Sequence, residues 1–283
     1  MPPELIREPA EIQQRMMALK RQGKSVCLVP TMGALHEGHR ALIREGRRQA
    51  GVLVVSIFVN PKQFGPNEDL SRYPRTFEAD MKMCEDEKAD FVFFPNSGAM
   101  YPEDHSTWVE VENLGAELCG RTRPAHFRGV TTVCAKLFLL TGADKAVFGW
   151  KDAQQQLIIR RMARDLNVPI EIVGVETVRE ADGLALSSRN AYLLAEERAE
   201  APVLHRALEA ARNGILEENE TDAALIRHGI AGQIEKESRA RIDYVEVVSM
   251  DKVEPIRVIE PGNTLIAVAA WWGSTRLIDN IRL

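Results

Sequence analysis

From residue 26 to residue 175 the chain alternates short β-branched apolar runs with longer amphipathic segments, and this alternation limits its fold more than any other feature. Val26-Cys27-Leu28-Val29, Val52 to Val59, Asp90 to Phe94, Ala146 to Gly149 and Ile170 to Val175 read as buried strands. Helices are expected over Pro9 to Gln22, with Ile12, Met16 and Leu19 on one face, and over His36 to Gln49, Phe77 to Lys88, Val130 to Leu140 and Asp152 to Leu166. Strands that return in register after a helix must pair in parallel. The fold class expected is therefore α/β, a doubly wound and mostly parallel sheet with helices on both faces.

Past Arg179 the pattern changes. Two helices, Ala195 to Arg212 and Asp222 to Glu237, are followed by four strand-like runs: Ile242 to Val248, Val253 to Ile259, Leu265 to Ala270 and Arg276 to Ile281. Helices followed by consecutive strands predict a smaller α+β unit. The boundary falls near residue 178 and separates 1–178 from 179–283.

Composition narrows the function. The 283 residues are 45% hydrophobic, enough for a real core, but no apolar run approaches the roughly 20 residues needed to span a bilayer. The start, MPPELIREPAEIQQ, carries acids and prolines where a secretory leader has a basic and then apolar stretch, so a cytoplasmic address is expected. Cys27, Cys84, Cys119 and Cys134 have no CxxC spacing and read as free thiols. A net charge of −5 argues against a nucleic-acid partner, because phosphate-backbone affinity needs excess Lys and Arg.

Ligands of such sheets bind beyond the carboxyl ends of the strands, so the post-strand loops are the places to search. The first is PTMGALHEGH, Pro30 to His39, where the chain turns near Gly33 and His36 and His39 share one face of the helix that follows. Free N–H groups at that helix start favour an anion, and Gly38 lets a flat ring lie close to the backbone. Zinc is the competing reading, but no third ligand recurs at a suitable spacing. Gly23-Lys24-Ser25 lacks the earlier glycine of a phosphate-binding P-loop and precedes a strand, so it is a turn.

The second loop is FGWKDAQQ. Lys151 there stands against the positive end of a helix dipole, a conflict that a polyphosphate would resolve, and Asp152 and Gln155 share a face. The third is DGLALSSRN, where Ser187, Ser188 and Arg189 offer successive donors to phosphate oxygens on a loop able to close. Gln63, in NPKQFGP, is a candidate for a carboxylate or hydroxyl. The segment Cys119 to Arg128, with three arginines and His126, either guides anions or is a solvated loop. Glu78, Glu85, Asp86 and Glu87 read as a helix exterior, and Asp80 as a candidate contact for magnesium.

Taken together, PTMGALHEGH, SIFVNPKQFGPNEDLSRYPRT, RPAHFRGV, FGWKDAQQ and DGLALSSRN closely resemble the pantothenate synthetase (pantoate–beta-alanine ligase) family, within the wider HxGH nucleotidylyltransferases. The resemblance runs from about residue 26 to the AWWGSTRLIDN tail. It implies a Rossmann-like first unit that binds ATP and pantoate, and a smaller second unit forming a lid. It also implies ATP and Mg2+, the substrates pantoate and beta-alanine, a pantoyl-adenylate intermediate and a homodimer, without nucleic acid or membrane. Carried over by position, Met32, Gly33, Ala34, Leu35, His36, Glu37, Gly38 and His39 contact ATP, with His39 the proton donor and His36 its partner on the phosphates. Gly149, Trp150, Lys151 and Asp152 hold the nucleotide, with Val178 at the adenine and Leu186, Ser187, Ser188 and Arg189 in the closing loop. Catalysis falls to His39, His36, Lys151, Ser187, Ser188 and Arg189, pantoate binding to Gln63 and Gln155, and metal contact to Asp80. The chain departs from the family pattern at Trp150, where an acid is usual, at Ala125, where glycine is usual, and at Ala79, beside Asp80, where some relatives carry a second aspartate. The competing readings are another adenylyltransferase acting on a different acceptor and a catalytically silent ATP sensor.

Overall fold

The computed structural model describes residues 1–66 and 68–283. In chain order its first part comprises β1 (Glu4–Ile6), α1 (Pro9–Arg21), β2 (Val26–Thr31), α2 (Glu37–Gln49), β3 (Val52–Ile57), α3 (Phe77–Asp86) and β4 (Phe91–Phe93). Two single-turn helices, α4 (Ser97–Met100) and α5 (Cys119–Thr122), precede α6 (His126–Thr141), β5 (Lys145–Gly149), α7 (Ala153–Asp165) and β6 (Glu171–Val175). All six strands pair in parallel, in the order β1-β4-β3-β2-β5-β6. The doubly wound sheet expected from the alternation is thus the one observed.

Residues 26 to 29 of β2 are fully enclosed, each at 0% exposure. Burying an aliphatic side chain of this size stabilises by roughly 1.5–3 kcal/mol, which explains why the strands read as continuous apolar runs rather than alternating ones. One layer of core, with Ile12, Met16, Leu28, Val54 and Phe138, lies on one face, and another, with Val29, Ile43, Val55 and Cys84, on the other. β1 escapes sequence reading because three residues carry no periodicity. β4 recruits it as an edge strand by pairing Glu4 to Ile6 with Phe91 to Phe93.

The second part holds α8 (Ala195–Glu200), α9 (Val203–Glu218), α10 (Ala223–Glu237) and an antiparallel sheet β7-β8-β9 of Arg241–Ser249, Thr264–Trp272 and Thr275–Arg282. Two expectations fail here. The single helix predicted over Ala195 to Arg212 is two, because Pro202 has no N–H for the ladder, and α9 then runs on to Glu218. The strand predicted over Val253 to Ile259 does not form; Val253 has φ of 59°, Pro255 lacks a donor, and only isolated bridges from Pro255 to Val248 and Val258 to Asp222 remain.

This sheet buries its own core against α9 and α10, with Leu204, Leu208, Ile230 and Ile266. A separate apolar cluster joins it to the first part, where Leu118, Trp150 and Leu157 meet Val248 and Leu265. Arg179, just past the change of pattern, is clamped to Asp279 of β9 through both carboxylate oxygens at 2.6 and 2.9 Å. Among the described residues no helix is long and apolar enough to cross a membrane. All four cysteines are free and buried.

One contact fixes where a site loop can stand. α6 lies so close to the turn Pro61–Gln63 that a Cβ at Gly129 would sit 2.2 Å from the Lys62 carbonyl oxygen and 2.7 Å from Gln63 Cα. G129A is expected to destabilise the protein by about 3 kcal/mol, since backbone must move. G229A, inside α10 with nothing within 4 Å of the added methyl, is expected to stabilise by up to ~1 kcal/mol. Urea denaturation of the two variants checks both signs.

Candidate active site

The strand order reverses at β2, with β3 and β4 on one side and β5 and β6 on the other. Because β2 pairs directly with β5 (Cys27 with Lys145, Leu28 with Ala146), the loops leaving these two strands open into one crevice. PTMGALHEGH leaves β2 and FGWKDAQQ leaves β5, so segments more than a hundred residues apart become neighbours.

The turn after β2 is held from below by Asp80 of α3, a carboxylate only 2% exposed. Its oxygens accept the N–H groups of Ala34 at 3.0 Å and Leu35 at 2.8 Å, and the Thr76 hydroxyl at 3.0 Å. Asp80, the residue expected to contact a metal, therefore anchors the loop and spends three hydrogen bonds on the protein. Gly33, Ala34 and Leu35 form the turn without reaching the cavity, and Glu37 points to Arg40 at 2.9 Å.

His36 and His39 behave differently from the sequence expectation. His36 is the N-cap of α2, and its Nδ1 accepts from Gly38 N–H at 3.1 Å; His39 Nδ1 accepts from His36 N–H at 3.3 Å. The two imidazoles thus consume N–H groups that a free helix start would have offered to an anion. Gly38 makes room for the His36 ring rather than for a ligand, since a Cβ there would lie 2.8 Å from His36 Cε1. With both Nδ1 atoms accepting, each neutral ring carries its proton on Nε2. The ring centroids lie 4.2 Å apart with the planes tilted by 50°.

Burial, and then the Lys151 ammonium, pushes the His36 pKa down to about 4. Burial, then His36 and Lys151, pushes His39 down to about 3. Both rings are therefore neutral hydrogen-bond donors at neutral pH in the ligand-free protein.

The cavity in front of them, about 230 Å³, brings together Met32, His36, Gly38 and His39 with Gly149, Lys151 and Asp152. Gln63, Gln155, Val178 and the run Leu186 to Arg189 complete the expected set. Trp150 does not join them; 6% exposed, it packs in the apolar joint with the Arg282 guanidinium 3.9 Å from its ring centre. Gln63 is oriented by Asn60, whose Nδ2 donates to its Oε1 at 3.1 Å, and its Nε2 lies 3.0 Å from Met32 Sδ. Arg189 pairs with Asp69 through two contacts of 3.1 Å. A second cavity of about 400 Å³ adjoins the first, sharing Lys151, Asp152, Gln155 and Arg189, and is walled by β8 and β9.

Sequence reading gave no role to Asn60 or Tyr73, which also face the first cavity, as do Arg123 and His126 of the Cys119 to Arg128 segment. Asn60 carried a signal, an Asn before Pro at a strand end, which caps Lys62 N–H at 3.2 Å. The arginines of the Cys119 to Arg128 segment all have protein partners. Arg123 is taken up by Glu68, Arg121 by Glu246, and Arg128 lies over Trp108. His126 donates from Nδ1 to the Gln63 carbonyl at 2.9 Å, and burial, then Arg123, holds its pKa at about 4.

These shifts set the pH response. The unfolded histidines take protons near 6.5 while the folded ones resist down to about 3 to 4, so stability is complete above about pH 6.5 and is lost as pH falls through that window. His39 alone is expected to account for ~2 kcal/mol of the loss between pH 7 and pH 4.5. Urea unfolding at the two pH values, in wild type and H39Q, checks this; the variant should lose correspondingly less.

Comparison with known proteins agrees with this geometry. A family model described as pantoate-beta-alanine ligase matches residues 4–282. The pantothenate synthetase of Moorella thermoacetica is 50% identical over 280 residues, 99% of this chain and 98% of its own. That of Desulfitobacterium hafniense is 54% identical over 259 residues, 92% of this chain and 91% of its own. Among solved structures, pantothenate synthetase from Thermus thermophilus superposes with a TM-score of 0.92 at 44% identity, covering 99% of both chains. Pantoate-beta-alanine ligase from Francisella tularensis, complexed with beta-gamma ATP and beta-alanine, gives 0.78 at 28% identity, covering 99% of this chain and 97% of that one. With nearly every residue inside these matches, the chain belongs to the pantoate–beta-alanine ligase family.

Proposed function

We propose that this chain joins pantoate to beta-alanine with ATP, through a pantoyl adenylate. Pantoate carboxylate attacks the α-phosphorus and expels pyrophosphate; the beta-alanine amine then attacks the acyl carbon, giving pantothenate and releasing AMP. The observation that carries this reading is the convergence of His36, His39, Lys151, Gln63, Gln155 and the Leu186–Arg189 run on one cavity.

A carboxylate is already ionised at neutral pH, so the first step needs no base. It needs positioning and relief of phosphoryl charge. Lys151 is the fixed cation for the phosphates, and the Nε2–H groups of His36 and His39 are preorganised neutral donors, whose bonds strengthen as charge builds on the phosphoryl oxygens. Ser187 and Ser188 add hydroxyl donors. Arg189, held by Asp69, adds charge from the closing run. Leu186 N–H occupies the Val178 carbonyl at 3.0 Å, which leaves the Val178 N–H for the adenine ring. Gln63 and Gln155 hold pantoate.

Magnesium belongs to this reading as an ion carried on the ATP phosphates, where it would neutralise their charge. No group of three or more His, Cys, Asp or Glu among the described residues has metal-binding geometry, and Asp80 is engaged with backbone. Residues 179–283 form a cover docked through the Trp150 cluster and the Arg121–Glu246 ion pair, and Leu186 to Arg189 is its moving edge. A homodimer follows the family resemblance. A cytoplasmic address suits a chain with free thiols that draws on ATP.

Pyrophosphate release with ATP, magnesium and pantoate tests the reading, with other hydroxy acids as controls. Pantoate alone should trigger release, and beta-alanine should then yield AMP and pantothenate; release indifferent to the acid would refute it. H39A is expected to slow single-turnover adenylation by roughly 100-fold or more, while the lost cap costs only about 1 kcal/mol of stability. D80N, which cannot accept from both Ala34 and Leu35, should weaken ATP binding with no change in the magnesium concentration giving half-maximal rate. A shifted magnesium dependence would restore Asp80 as a ligand.

A further inference from the structure

We infer that Asn280, on β9 of the smaller unit, is a positioning residue that sets Lys151 in the adenylation site. The turn carrying Lys151, Trp150 to Asp152, has no cap of its own: neither Gly149 before it nor Asp152 at the start of α7 makes a capping hydrogen bond with a side chain. Its two carbonyls are gripped from outside. The amide Nδ2 of Asn280 donates to the Trp150 carbonyl at 2.9 Å and to the Lys151 carbonyl at 3.0 Å, using both of its protons.

The grip is itself rigid. Asn280 is 8% exposed and its main chain is paired with Ala267 of β8. Its own N–H donates to Asp279 Oδ1 at 2.8 Å, and Asp279 is clamped by Arg179. The Trp150 side chain is fixed in the apolar joint against the same small sheet. The backbone of residue 151 is therefore placed by a strand of the other unit, in a cavity wall where misplacement by about 1 Å is enough to cost roughly 100-fold in rate. Asn280 touches no reacting atom in this arrangement; it acts through Lys151.

The inference rests on the reading of Lys151 as the phosphate cation, and a double-mutant cycle separates the two. Single-turnover pyrophosphate release at saturating ATP and pantoate is measured in wild type, N280A, N280D, K151A and K151A/N280A. N280A is expected to slow adenylation by roughly 10- to 100-fold with the pantoate KM within about twofold of wild type. N280D, of the same size but with acceptors facing two carbonyls, should be slowed at least as much, and it carries the cycle if N280A fails to fold. In the K151A background the Asn280 change should have less than about a twofold further effect, because the group it positions is gone.

An unimpaired K151A would sink the reading of Lys151 and this inference with it. An impaired K151A beside an unimpaired N280D, or losses that multiply in the double variant, would overturn the inference and leave the reading of Lys151 standing. A merely structural asparagine would lower the urea midpoint and give multiplying losses.

Discussion

The hydrogen bonding of β2 directly to β5 is the constraint on which the site depends. Each strand alone is an apolar run that any parallel sheet would accept. Set side by side at the point where strand order reverses, they aim two polar loops into one crevice, and the histidines and Lys151 meet only for that reason. The remaining walls are added to this pair: Gln63 by the close approach of α6 to the turn Pro61–Gln63, and Ser187 to Arg189 by the segment that follows β6.

Within the crevice the polar groups are mostly organised by one another before any ligand arrives. Asp80 holds the turn after β2, each imidazole caps backbone at the start of α2, and His126 and Arg123 hold the Gln63 backbone. Two consequences follow. The histidines are locked in one tautomer with Nε2–H outward, and burial, reinforced by the neighbouring Lys151 charge, keeps them neutral. The cavity therefore presents one ammonium beside neutral donors, the combination on which the proposed adenylation draws.

The smaller unit is more than an appendage. Its sheet shares an apolar cluster with α7, clamps the junction through Arg179 and Asp279, and reaches the Lys151 turn through Asn280. A turn of one unit thus has two of its carbonyls bound by a strand residue of the other.

Periodicity in the sequence determined the parallel α/β sheet, the change to α+β beyond Arg179 and the loops that matter, because burial on both faces imposes patterns local enough to read. Sequence could not determine contacts made across long separations. Asp80 was read as a candidate for magnesium, yet its backbone partners are the loop N–H groups some forty-five residues earlier; Trp150 sits inside a site motif but turns into the core. Where proline met helix or strand, at Pro202 and Pro255, the apolar pattern outvoted the missing N–H, and the expectation failed. The protonation state of His36 and His39 was likewise decided by tertiary structure, since a pKa near 6.5 moves only when burial and a neighbouring charge are supplied by folding.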